Sequence, residues 1–149
     1  MRKTVLILMV LLIVTSCKKK ISANDISKIN GYWEIEKVIL ANGDKKDYKI
    51  NATIDFFELH HPETSGQLDN KMVGFRQKVM PQMNGTYTTN NLKEIISISK
   101  KDGDYFINYA TNFGKWKEEI IELEDSILVL KNIDNLEYHY KKQIPFSLK

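Results

Sequence analysis

Cysteine occurs once in the 149 residues, at Cys17. The chain beyond it therefore has no disulfide and no thiol chemistry, whatever its compartment, and its stability rests on packing. Acidic residues are missing from the first twenty positions, where five of the 22 basic ones (Arg2, Lys3, Lys18, Lys19 and Lys20) are gathered. The remainder carries 17 basic against 19 acidic residues, so the formal charge of +3 belongs to the N-terminus. A nearly neutral body has no broad electrostatic footprint for nucleic acid. No apolar run is long enough to span a membrane: Val5 to Val14 has ten residues, against the roughly 20 a helix needs to cross a hydrocarbon core. No Gly-rich phosphate loop and no serine-centred elbow occurs either. The length, with 42% hydrophobic and 28% charged residues, fits one globular domain.

What is present begins at the N-terminus. Arg2 and Lys3 form a positive flank, Val5 to Val14 an apolar segment, and Val14-Thr15-Ser16-Cys17 follows at once, the layout of a secretory signal peptide. Those last four residues resemble the bacterial lipobox, in which an aliphatic and two small residues precede a cysteine. The resemblance implies that residues 1–16 are removed and that the Cys17 thiol carries diacylglycerol. It also implies a further acyl chain, such as palmitate, on the new α-amino group. Each buried methylene contributes about 0.8 kcal/mol, so two or three chains hold firmly. No acidic residue follows the cysteine, and by resemblance to known lipoproteins this favours the outer membrane of a bacterial cell envelope, facing the periplasm. Residues 17–28 form the expected tether. From Cys17 to Ile29 it reaches at most about 40 Å, so the domain of residues 29–149 stays close to its membrane.

The domain reads as antiparallel β structure after a single turn at Asn24 to Lys28. In Gly31 to Leu40, Trp33, Ile35 and Ile39 share a face against Glu34 and Glu36. In Ile50 to Phe57 the expected inner set is Ile50, Ala52, Ile54 and Phe56. Leu136, Tyr138 and Tyr140 alternate with Glu137, His139 and Lys141. Asn42-Gly43, Ser65-Gly66, Asn84-Gly85, Asp102-Gly103 and Asp134-Asn135 tolerate the positive φ that hairpins require. Pro62 and Pro81 mark strand ends, and His60 to Lys71 is the widest irregular stretch. Trp116 to Leu130 fits two descriptions. Trp116, Ile120, Leu123, Ile127 and Leu130 have helical spacing, while Glu124-Asp125 followed by Ile127 to Leu130 suits a hairpin.

Gly31-Tyr32-Trp33, Gly114-Lys115-Trp116, Asp125 to Leu130 and Tyr138-His139-Tyr140-Lys141-Lys142 occur in an order that resembles the lipocalin-like domains of small bacterial lipoproteins. The resemblance covers residues 28 to 143. It implies an up-and-down antiparallel β-barrel of about eight strands, with the first Trp closing one end and a basic residue of the last strand packed on it. The disulfide of many secreted lipocalins is absent here.

No catalytic constellation is legible, and no cofactor or metal is implied. His60 and His61 are neighbours on a strand and point to opposite faces, and Glu63 is the nearby carboxylate. Glu118, Glu119, Glu122, Glu124 and Asp125 read as a solvated face. Aromatic residues are more telling. Trp33, Phe56, Tyr87, Tyr109, Trp116, Tyr138 and Tyr140 are the candidate ligand-binding set, with Phe75 and Tyr105 beside them. Inside a barrel they offer apolar faces and orienting hydroxyls. Eight strands enclose a space that side chains can also fill outright. Two functions follow: a carrier or sensor holding a small apolar ligand in the barrel, or an envelope protein (inhibitor, immunity or assembly factor) that binds another protein with a solid barrel.

Overall fold

The architecture follows from the two-residue alternation of the segments and from the turn residues between them. The computed structural model describes residues 19–48, 53–61 and 71–144. Cys17 and the signal segment lie outside the described residues, as do Ile50, Ala52, Pro62 and Ser65-Gly66. A 3₁₀ helix, Ala23–Ile29, comes first. Nine strands follow among the described residues: β1 Gly31–Ile39, β2 Lys45–Asp47, β3 Ile54–His60, β4 Val73–Pro81, β5 Tyr87–Lys101, β6 Asp104–Thr111, β7 Gly114–Leu123, β8 Ile127–Lys131 and β9 Glu137–Gln143.

Eight of them, β1 and β3 to β9, pair antiparallel in chain order. β9 returns to β1 along seven residue pairs, from Tyr32 opposite Gln143 to Ile39 opposite Glu137. The sheet is thereby closed into the eight-stranded up-and-down barrel that the resemblance to lipocalin-like domains implies. The short β2 pairs with the second half of β1. Trp116 to Leu130 forms the β7–β8 hairpin rather than a helix. Asp102 and Gly103 both take positive φ, as a two-residue hairpin connection demands.

The core runs through the barrel and is continuous with the helix. Ile26, Ile29, Trp33, Phe57, Ile96, Ile107, Leu128 and Leu130 are all but sealed from solvent. Every member of this cluster among the described residues lies between Ile26 and Tyr140. Ile26, within the segment expected to be tether, packs into this core.

Two expected inner faces are corrected. A bulge at Glu36 shifts the phase of β1, so Val38 and not Ile39 follows Trp33 and Ile35 inward. In β3 the inner set is Asp55, Phe57 and Leu59, with Phe56 on the outer wall. Both faces of that strand carry apolar side chains, so alternation does not identify the inner one.

Candidate functional site

One end of the barrel is capped by the 3₁₀ helix. A helix leaves its last carbonyls without internal partners, and here two interior side chains supply them. The Trp33 indole Nε1 donates to the Ile29 carbonyl at 2.6 Å. Lys142 Nζ donates to the Lys28 carbonyl at 2.9 Å and lies 5.0 Å from the centre of the Trp33 ring. Desolvation pushes the Lys142 ammonium pKa down, with Asp125 opposing. Gly31, at φ +119°, makes room for this arrangement, because a Cβ there would sit 3.1 Å from Lys142 Cε. The basic partner for the first Trp is thus Lys142, the penultimate residue of β9.

The other end is open and charged. Directly opposed residues of an antiparallel pair share a face, so Leu59, Gly74, Ile96, Tyr109 and Trp116 form one interior row from β3 to β7. The row climbs from the capped end to the mouth, where Trp116 stacks on Tyr109 at 5.0 Å and 7°. Beside it runs the row Phe57, Arg76 and Glu94, while Asp55 faces Lys78 and Ile107 faces Glu118. Among the described residues, the mouth half of the barrel therefore brings together Asp55, Glu94 and Glu118 with Arg76 and Lys78.

Arg76 is their hub. Its Nε donates to Glu94, its guanidinium lies 4.5 Å over the Tyr109 ring, and Nη1 is 4.0 Å from Glu118 Oε2. Burial works against its charge, but Tyr109, Glu94 and Asp55 outweigh that and raise its pKa. Lys78 Nζ donates to buried Asp55 at 2.8 Å while its own side chain reaches solvent. Burial raises the pKa of the Glu118 carboxyl, against the influence of Tyr109 and Arg76. The Tyr109 hydroxyl and Glu118 Oε2 are both buried without a hydrogen-bond partner. Burial also pushes the Tyr109 and Tyr140 phenols far up.

These groups surround a pocket of ≈ 330 Å³ lined by Trp33, Ile35, Tyr48, Asp55, Arg76, Lys78, Glu118, Tyr138 and Tyr140. Of the aromatic candidates, Trp33, Tyr138 and Tyr140 line it and Tyr109 stands next to it under Arg76. Trp116 is half-open at the rim. Phe56 and Tyr87 are not in the interior. Tyr32, opposite Phe56 and next to inward Trp33, carries both on the outer wall, with ring centres at 4.7 Å to Phe56 and 4.2 Å to Tyr87. Phe75 joins them at 6.0 Å from Phe56. Tyr105 is a core residue. His60 and His61 are exposed, and His139 faces outward beside Glu137 at 3.3 Å.

The charged cluster is what the sequence reading missed. Glu118 reads in the sequence as part of a solvated face, yet it is 8% exposed. Asp55, flanked by Ile54 and Phe56 in an apolar run, carried the clearest signal of a charge forced inward.

No family model matches the chain, and no curated protein does. Among solved structures, the chain is similar to a lipocalin-like protein from Bacteroides uniformis, with 13% identity over 78% of this chain and 99% of that one, at a TM-score of 0.45.

Proposed function

We propose that this chain is a cell-envelope lipoprotein, anchored by acylated Cys17, whose lipocalin-like barrel binds a compact ligand through its open mouth. One observation carries the ligand reading: Glu118 Oε2 and the Tyr109 hydroxyl are buried in the charged half of the barrel without a hydrogen bond to the protein, Glu118 Oε2 having only the Arg76 guanidinium beside it, at 4.0 Å. An unmet buried polar group costs about 1–3 kcal/mol, and a ligand that donates to both removes that cost. The pocket lies near the lower end of the roughly 300–1,000 Å³ range of small-molecule sites. Its aromatic walls suit a short apolar or ring-shaped body, and Glu118 suits a hydroxyl, amide or amine on it. A long acyl chain would need the apolar half, which side chains fill.

Native mass spectrometry of protein isolated from its own cells tests the reading. The expected spectrum has an adduct of small-molecule mass that Glu118→Gln loses and His139→Gln, on the outer wall, keeps. A bare protein mass in both would sink it. The anchor is tested separately by Cys17→Ala, which should leave the membrane fraction; a variant that still sediments with membranes refutes the anchor alone.

A further inference from the structure

The outer wall of β5, β6 and β7 near the mouth presents large apolar side chains to solvent. Leu92 is 70% exposed, Ile95 57%, Ile133 84% and Phe113 fully so. Opposed residues Ile95 and Ala110 join them into one surface and line two adjoining grooves of ≈ 590 and ≈ 510 Å³. These residues are held outward by local bonds. Thr111 Oγ1 accepts from the Phe113 amide at 3.1 Å, and Asn132 Oδ1 accepts from the Asp134 amide at 3.0 Å. Asn91, at φ 60°, bends β5 just before Leu92, whose amide donates to Asn90 Oδ1 at 3.1 Å. An apolar patch with a polar rim marks an interaction surface.

The rim is mainly basic. Lys93, Lys115 and Lys117 stand around the patch, exposed and in no ion pair among the described residues, against two carboxylates, Asp134 and the Glu94 of one groove, which is paired with Arg76. Two of these ammonium groups rest on aromatic rings of the same outer wall, Lys93 Nζ 3.7 Å over Phe75 and Lys117 Nζ 4.8 Å over Phe106, so positive charge lies directly against apolar surface. The N-terminal segment adds a second observation. Lys19, Lys20 and Ile21 lie beside Gly103, Asp104 and Ile121, at the opposite ends of the same two strands β6 and β7. Lys19 therefore stands at the far end of these strands, about 23 Å from Phe113 at about 3.3 Å per residue from Gly114 to Ile121.

We propose that the outer wall of β5, β6 and β7 lies against an anionic bilayer, with Phe113, Leu92 and Ile133 among the acyl chains and Lys93, Lys115 and Lys117 at headgroup phosphates. The contact itself does not depend on the lipid anchor; only the sideways posture of the barrel between two attachments rests on the anchor reading. An apolar protrusion set in a lysine rim is what an interfacial contact requires, because burial and attraction to anionic lipid act together.

The chain from Lys18 onward, which keeps every described strand of the closed ladder, allows a test without lipidation. It should sediment with vesicles of phosphatidylglycerol and phosphatidylcholine and stay in solution with phosphatidylcholine alone. Phe113→Asp should weaken partitioning roughly tenfold, and Lys115→Gln or Lys117→Gln about fivefold each. A Phe113→Trp probe should shift its emission to the blue on binding. Absence of binding to anionic vesicles, or binding that Phe113→Asp leaves unchanged, overturns the proposal. So does a solution dimer that Phe113→Asp dissociates, since the patch then belongs to a second copy of the chain.

Discussion

At the capped end, Ile26, Ile29, Trp33 and Leu128 pack with almost no exposed surface, and the carbonyls of the 3₁₀ helix are met by Trp33 and Lys142. At the mouth, the same strands turn Asp55, Arg76, Glu94 and Glu118 into the same interior. The first set is what a stable barrel needs. The second works against stability, because taking ions out of water costs several kcal/mol each and apolar side chains of similar size are often no less stabilising. A barrel selected for stability alone would continue its apolar filling to the rim. The contrast teaches that the capped half supports a charged half whose arrangement stability does not explain.

Variants at the two ends should separate these roles. Trp33→Ala removes a fully buried indole together with its bond to Ile29, and should lower the urea unfolding free energy by about 3–5 kcal/mol. A loss below about 1 kcal/mol would break the assignment of the capped end as the stability half. Gly74→Ala comes next: a Cβ there runs into the Glu58 carbonyl of the neighbouring strand, so a loss of about 1–3 kcal/mol from strand displacement is expected in the same assay. Lys142→Met keeps the stem on Trp33 but leaves the Lys28 carbonyl unmet, for a loss of about 1 kcal/mol.

Glu118→Gln should act with the opposite sign. The native state holds the Glu118 proton more tightly than the unfolded chain does, so this group's contribution is favourable at low pH. It is lost as pH rises from the ordinary value of 4.5 through the raised native one. The variant should therefore be more stable than the parent at pH 8 and gain little at pH 4, read from thermal unfolding at both values. Equal effects at the two pH values would mean that Glu118 does not titrate as its burial requires.

The smallest effect belongs to the helix surface, where hydrogen bonds from Ser22 and the nearby Lys28 hold the Asp25 pKa down. Its stabilising contribution is present above the usual carboxylate range and fades as pH falls through the lowered native value. Asp25→Asn should slightly reduce the thermal midpoint at neutral pH and leave it unchanged in strong acid.

Much of the fold was legible because polar and apolar residues alternate cleanly where one wall meets water. β9, with Tyr138 and Tyr140 inward against Glu137 and His139, is the clearest case. Alternation fails where both faces are apolar, as in β3, and where a bulge slips the phase, as at Glu36. Trp33, Tyr109, Tyr138 and Tyr140 face the interior while Phe56 and Tyr87 of the same aromatic set lie on the outer wall, because aromatic character selects burial without selecting the face of a strand. Apart from the hint at Asp55, the ionic cluster was not legible, since a charged residue in an alternating strand is ordinarily assigned to water. Its common direction appears once pairing fixes Asp55 beside Trp33 and Glu118 beside Ile107.

The β1–β9 seam has a consequence in time. It joins the two extremities of the domain, and its bond from Lys142 to Lys28 spans 114 positions. Contacts so distant in sequence form late, because the loop they close must first lose its freedom. A chain made from its N-terminus holds β1 with one unpaired edge until the last strand arrives. Protection of β1 amides from hydrogen exchange should therefore develop in step with those of β9, and a chain ending before Tyr138 should acquire neither.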